Sequence, residues 1–447
     1  MGWNPCPVVG GKDPAQLLVQ NEIYCATKGG FEIPITPETH TVKVLAKPGI
    51  APWKGQIEIL PGQLAVRIPF AKASAPPLGW YAVDLRTHCL SPKAALLEAE
   101  ASGINLVQIL ASSHWPECFP KGEIDYAQLL EFSGTQAAGE TSLSSIMVNT
   151  LNRHPVLGSV SLLHSHRPVY PWFSGWEKED TPWSIQDWCK QCHRIKGVVI
   201  WPELDPLLPE YEAIAGIVNG EIDCIELCDS LGSTVNNPES RLPWLYSLWT
   251  KGIACGIVGS SGKCNNQKRI GTSFTWIHVR GSTKQFDGIP INEIMASVKT
   301  GNGSASIGPL LALNQGPECA QAFVDLIEPD TIFQWINESG VVGTKVLEPG
   351  CAQTITWEAT LIKNWLSCRL VDNFGNLIAH SPMIKGPDFG RTAEKDPNPI
   401  LQNALSQGLV WSLENNPYKN SSLQNQLTNY LQKALDLLEC IPSNRKL

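Results

Sequence analysis

The chain reads as a multidomain protein, α/β in its middle and all-β on either side, that closes on a short helical tail. Three observations carry that reading. Gly79 to Ser113 spells a strand, a loop, a helix and a second strand in succession, the βαβ unit from which parallel sheets are built. Before it, Ala15 to Phe70 is cut by turn residues into short runs with period-two alternation, and past Ile307 that texture returns. Finally, 447 residues leave room for several such units at the usual ~150 residues per domain.

Taken in order, the N-terminal part (1–77) offers strands in GGFEIPI, THTVKVLA, KGQIEILPG and QLAVRIPF, then a linker from Ala71 to Pro77. The α/β part (78–300) opens with Trp80 to His88 as a strand. Ser91 and Pro92 supply an N-cap and a first-turn proline, Ala94 to Glu100 favour helix, and Gly103 stands where a left-handed C-terminal residue is wanted. Ile104 to Leu110, largely apolar, reads as a strand buried on both faces. Polar residues gather just past these strands, the edge where α/β proteins place ligands, so Asp84, Arg86, His88, Ser112, Ser113 and His114 form a first candidate site.

From His114 to Asn149 the text is irregular and polar, with an amphipathic helix expected about Tyr126 to Phe132; Val160 to Leu163 then makes a strand. A segment dense in rings follows, with Tyr170, Trp172, Phe173, Trp176, Trp183 and Trp188. It is either a stacking wall for a sugar or aromatic ligand or a set of rings packed over the sheet. Strands at Gly197 to Trp201, IDCIEL and IACGIVG then alternate with helices at Leu208 to Asn219 and Leu242 to Lys251. Repeated βα units imply parallel strands with right-handed crossovers, in a barrel or a doubly wound sheet. The third part (301–390) has strands in GPLLAL, FVDLIEP, TITWEATLI and LSCRLVDNFGNLIAHSP, with a turn at Asn373 to Gly375. In the tail (391–447), Leu423, Leu427, Tyr430, Leu431, Ala434 and Leu438 make one apolar stripe, which docks on the chain itself or joins copies in a homo-oligomer.

Composition excludes some classes. A net charge of -8 and a pI near 5.7 argue against nucleic-acid binding, which needs a basic stripe to displace counterions. No apolar run approaches the ~18 residues that span a bilayer. The opening MGWNPCPVVGGKD lacks the basic and apolar regions of a secretory signal, so a cytoplasmic location is expected; a secreted or periplasmic one is the alternative if the chain lacks its native signal. Fourteen cysteines are scattered and mostly sit in apolar runs, as small hydrophobes do. Cys189, Cys192 and His193 spell the haem-attachment pattern C-x-x-C-H, but they fall within an expected helix, Trp183 to Ile195, and no haem is expected there.

The phrase WYAVDLRTH resembles the W-Y-x-x-D-L-H-x-H opening of the polymerase and histidinol phosphatase (PHP) superfamily, in its carbaryl-hydrolase-type (CehA/McbA) branch. Further echoes follow in order: HPVLGSVSLL, CHRIKGVVIWPE, GEIDCIEL, GIVGSSGK and GNGSASIGPLLAL resemble successive segments of that branch. GGFEIPITPETHTVKV is similar to carboxypeptidase-regulatory-like sandwiches. The resemblance implies a distorted, TIM-like PHP barrel between two β-sandwiches and a metal-dependent hydrolase. Yet the sequence departs from the branch where metal would bind. Arg86 replaces the first histidine of H-x-H, Ser159 the histidine of G-H, Glu203 that of W-P-H, and Ser261 the aspartate of G-S-D. Arginine has no lone pair to give a cation.

Candidate ligands are then Asp84 and His88, with His164 and His166 as replacements; Arg86, His88 and Glu203 are the candidate catalytic residues. Tyr170, Trp172, Trp176 and Lys263 are candidates for substrate binding. Two functions follow. One is a pseudoenzyme or binding protein for a small molecule or carbohydrate, with no cofactor. The other is an active hydrolase of ester, amide or phosphate bonds using zinc, manganese or iron through an altered ligand set. In the first case Arg86 is expected to engage Glu203 or Asp84 in the volume of the lost metal.

Overall fold

The computed structural model describes residues 16–19, 22–26, 35–45, 53–68, 76–112, 126–154, 157–172, 174, 183–204, 210–237, 240–264, 268–281, 288–390, 399–415 and 421–439. The N-terminal part holds two antiparallel hairpins, β1 (Gln16–Val19) with β2 (Glu22–Cys25) and β3 (Thr39–Val44) with β4 (Trp53–Glu58). No helix occurs among its described residues 16–68. The expected strand GGFEIPI falls almost wholly outside the described residues. QLAVRIPF forms no strand over its described residues 63–68, and Leu64 is fully exposed. Alternation makes a strand only where a partner takes up the backbone hydrogen bonds.

β5 (Trp80–Thr87), α1 (Pro92–Ser102) and β6 (Leu106–Ser112) are the βαβ unit read in sequence, and β5 pairs with β6 in parallel. The helix begins where Ser91 Oγ accepts from Ala94 N at 3.2 Å and stops at Gly103, whose φ of 72° is left-handed. After them come α2 (Tyr126–Leu130), β7 (Gly139–Glu140), β8 (Ser145–His154), β9 (Gly158–Leu163), α3 (Ile185–Arg194), β10 (Val198–Trp201) and α4 (Tyr211–Val218). β11 (Cys224–Leu227), α5 (Leu242–Thr250), β12 (Gly256–Gly259), β13 (Phe274–His278), α6 (Ile291–Lys299) and β14 (Gly303–Ser306) complete this part. β8 begins inside the stretch expected to be irregular. The amide nitrogens of two of its buried polar side chains are bonded: Asn149 Nδ2 donates to Gln108 Oε1 and Asn152 Nδ2 to Val169 O, each at 2.9 Å.

These strands form one sheet in the order β12-β11-β10-β9-β8-β6-β5-β13-β14. β5, β6 and β8 run parallel, β9 is reversed, and β10, β11 and β12 resume the first direction. Just past β12 the chain returns to the end of β5, where Gly262 N donates to Arg86 O at 3.1 Å and His88 N to Lys263 O at 2.6 Å. The sheet is therefore curled. Val83, Leu106, Leu110, Met147, Ile200 and Val258 pack on Ile294, Met295 and Val298 of α6 in one cluster, while Ala95 and Ala99 of α1 join Val107, Ile109, Ile146 and Val148 in another.

β15 (Leu310–Gln315), β16 (Cys319–Asp325), β17 (Ile332–Asn337), β18 (Gly340–Val346), β19 (Gln353–Glu358), β20 (Trp365–Val371), β21 (Leu377–His380) and β22 (Ile384–Lys385) follow. β15, β16 and β19 make a separate layer, whose Leu311, Ala322 and Val324 pack with Phe333, Trp335, Cys368 and Leu370. The layer opposite is continuous with the curled sheet. β14 pairs with β13 on one side and β21 on the other, so β21-β20-β17-β18 extend a single mixed sheet of 15 strands. Asp372 holds the turn expected at Asn373 to Gly375, its carboxylate accepting from Phe374 N at 2.9 Å and Asn376 N at 2.8 Å.

The tail is α7 (Ile400–Asn415) and α8 (Ser421–Glu439). Leu427, Tyr430, Leu431, Ala434 and Leu438 are buried in a cluster with Ala213, Ile214 and Ile217 of α4, so the stripe docks on the α/β part of its own chain. No helix among the described residues is long and apolar enough to cross a membrane.

Candidate functional site

β5 brings Asp84, Arg86 and His88 to the carboxyl edge of the curled sheet, but not onto one face. Opposite β6, Asp84 pairs with Val107 and Thr87 with Ile109, so one extra residue is accommodated between them as a bulge. Asp84 turns to the backbone of the segments flanking it, accepting from Ser261 N and Gly271 N at 3.0 Å each. Burial pushes its carboxyl up to about 6 against the pull of those donors.

Arg86 turns the other way. Its Nε lies 2.9 Å from both oxygens of Glu226 on β11, and Nη2 lies 2.9 Å from Oε2, with both side chains almost fully buried. A second Nη2 bond reaches Glu203 O at 3.1 Å. Burial alone would weaken the guanidinium as a base, but Glu226, Cys228 and Asp229 together outweigh it and its pKa is raised. The guanidinium–carboxylate cluster is thus present, with Glu226 rather than Asp84 or the Glu203 carboxylate as the acid. His88 is buried beside it, with Nδ1 2.8 Å from Leu110 O, and burial together with the Arg86 charge depresses its pKa to about 3. His88 is therefore neutral at ordinary pH.

Glu203 is tied down by main chain and side chain alike. Its N donates to Glu226 Oε2 at 2.8 Å, while its carboxylate takes donors from the loop after β11. Lys263 is 1% exposed; its Nζ donates to Lys268 O at 2.6 Å and pairs at 3.5 Å with Glu98 of α1. His164 and His166 follow the end of β9, whose Leu163 pairs with Val198 at the start of β10. Glu203 follows the end of β10, so the histidines sit at the opposite edge of the sheet from Arg86. Tyr170 is 67% exposed and meets Trp172 edge-on at 4.9 Å. Pro171 O between them accepts from Trp188 Nε1 at 2.6 Å, which seats this segment on α3. Trp176 lies outside the described residues.

Glu226 is the residue that sequence reasoning missed as a site member. The available signal was one acid inside the apolar run Cys224 to Leu227, where a buried charge needs a partner.

The described residues at this edge do not fit a divalent metal. Among the described residues no group of three or more His, Cys, Asp or Glu side chains could hold one. Gly262 closes over the pair, for a Cβ there would sit 2.8 Å from both Arg86 Nη2 and Cys228 Sγ. Nor do Cys189 and Cys192 suit haem attachment: both lie on the buried face of α3, and Cys192 Sγ donates to Val198 O at 3.7 Å.

No protein-family profile and no curated protein matches the chain. Among solved structures it is similar to a two-domain protein containing a predicted PHP-like metal-dependent phosphoesterase from Bacteroides vulgatus ATCC 8482. Identity is 9% and the TM-score 0.38, over 72% of this chain and 100% of that one.

Proposed function

We propose that this chain is a binding protein without hydrolytic activity, built like the PHP enzymes of the carbaryl-hydrolase branch but with their metal ligands largely replaced. The observation that carries the reading is the buried, bidentate Arg86–Glu226 pair. Arg86 stands where the resemblance puts the first histidine of H-x-H, and its fixed charge compensates a carboxylate that would otherwise need a cation. In this reading the strands from β5 to β12 are the distorted barrel, and the β layers on either side are the flanking sandwiches. Asp84, Arg86 and Glu203 act as structural ties. A sugar or aromatic small molecule stacks on the segment of Tyr170, Trp172 and Trp176.

The test is metal content and activity together. Protein purified from medium supplemented with zinc, manganese and iron is expected to hold far less than one metal per chain. It should hydrolyse no phosphate, carboxyl ester or amide substrate above background. One metal per chain, with hydrolysis abolished by Asp84→Asn or His88→Ala, would establish the hydrolase instead.

A further inference from the structure

The loop that follows β11 has a chemistry of its own. Three consecutive main-chain N–H groups, those of Cys228, Asp229 and Ser230, donate to Glu203 Oε2 at 2.6, 2.8 and 3.0 Å. Ser230 Oγ donates to Oε1 at 2.6 Å. Successive N–H groups aimed at one point form an anion-binding concavity, because their dipoles add there without side-chain ordering. Ser230 is 2% exposed and its hydroxyl oxygen is itself held in place, accepting from Arg241 N at 3.0 Å. Two cations stand alongside, each with an acid of its own, Arg241 Nη2 bonding Glu210 Oε2 at 2.6 Å. Arg241 acts electrostatically on the Glu203 carboxylate, and Lys268 Nζ lies 3.5 Å from Asp229. Meanwhile the Glu203 backbone is held independently of its side chain, through its N to Glu226 and through its O to Arg86.

We infer that the Cys228–Ser230 loop is an oxyanion-binding site and that Glu203 is its built-in occupant, an intramolecular plug whose place a small carboxylate or phosphate takes when the side chain is absent. This goes beyond the reading above and does not depend on it, since the site is defined by its donors whether or not the chain ever hydrolyses a bond.

The experiment uses the full chain with Glu203→Ala, unfolded by heat in acetate, phosphate or chloride at matched ionic strength. The variant is expected to melt below the wild type. Acetate or phosphate, but not chloride, should then raise its midpoint saturably, by roughly 1–2 °C at tenfold excess over the dissociation constant. The general stabilising action of phosphate on folded proteins applies to both chains and cancels in the comparison. Wild type, with its plug in place, should show no saturable anion-specific shift. Adding Ser230→Ala to Glu203→Ala should weaken the saturating affinity roughly tenfold, the size of one hydrogen bond to a charged group. Should Glu203→Ala fail to fold alone, refolding yield is read instead, with recovery in acetate or phosphate above that in chloride as the expected result. Equal behaviour in all three salts, or the same saturable shift in wild type from an adventitious surface site, overturns the inference.

Discussion

The carboxyl edge of the curled sheet and the flank between α3 and α4 each bury a glutamate, and they neutralise it by different means. Glu226 and Glu212 are both 1% exposed. Glu226 faces a guanidinium in a bidentate pair, and arginine keeps its charge at any working pH. Glu212 accepts from Ile185 N and Gln186 N, at 3.2 Å each, in the first turn of α3, with the Ser184 side chain as a further neutral donor. The two N–H groups are free helix donors at the positive end of a dipole, but they carry partial charge. Burial therefore pushes the Glu212 carboxyl up to about 7, with Asp187 nearby adding to the rise. A full opposite charge makes a buried carboxylate part of the scaffold, whereas neutral donors leave it ready to take a proton near neutrality.

The largest expected effect breaks the first half of that contrast. Arg86→Ala strands the Glu226 carboxylate and should lower the unfolding free energy by roughly 3–5 kcal/mol in urea denaturation followed by tryptophan fluorescence. Removing both partners should cost less than the sum of the two single changes, the sign of direct coupling. A loss under about 1 kcal/mol would mean that the pair is no scaffold at all.

The second prediction sharpens the other half. The Glu212 carboxyl has a folded value of about 7 against the ordinary 4.5 of a glutamate, so the fold holds its proton more tightly than the unfolded chain does. The stability it lends is complete below pH 4.5 and is lost as pH rises through 7. Glu212→Gln keeps an acceptor for the two N–H groups and removes the charge. It should therefore stabilise the protein at pH 8, by at most about 3 kcal/mol, and leave it nearly unchanged at pH 4. A variant less stable than wild type at both pH values would show that the α3 cap needs a charged carboxylate.

The smallest effect concerns how closely the first pair is enclosed. Gly262 has φ +60°, and a Cβ there would crowd Arg86 Nη2 and Cys228 Sγ. Gly262→Ala should cost about 1–2 kcal/mol, part from the left-handed backbone and part from the crowding. In an Arg86→Ala background the crowding component should shrink, which a double-mutant cycle measures.

Much of the fold was legible where its causes are local. Ser91, Pro92 and Gly103 delimit α1 because a cap and a left-handed terminus are set by atoms within one helical turn. The stripe on α8 could be read because burial on one helix face follows the helical period. β8 was obscured because Asn149 and Asn152 read as polar punctuation, whereas in the fold their amides bond to Gln108 and Val169. The continuation of the sheet past residue 300 could not be read at all, since edge pairing of β14 with β21 leaves no pattern in either strand.

The candidate site divides along the same line. By itself the sequence determined that Arg86 cannot be a metal ligand, because that follows from the side chain's chemistry alone. Only the tertiary structure decided its partner. Glu226 lies 140 residues away, and the two meet because the sheet curls until β11 faces the end of β5. The bulge that sends Asp84 and Arg86 to different faces belongs to the pairing of β5 with β6, and the reversal of β9 that carries His164 and His166 to the far edge belongs to the pairing of β8, β9 and β10. Register and direction are properties of two strands together, so one strand's sequence does not contain them.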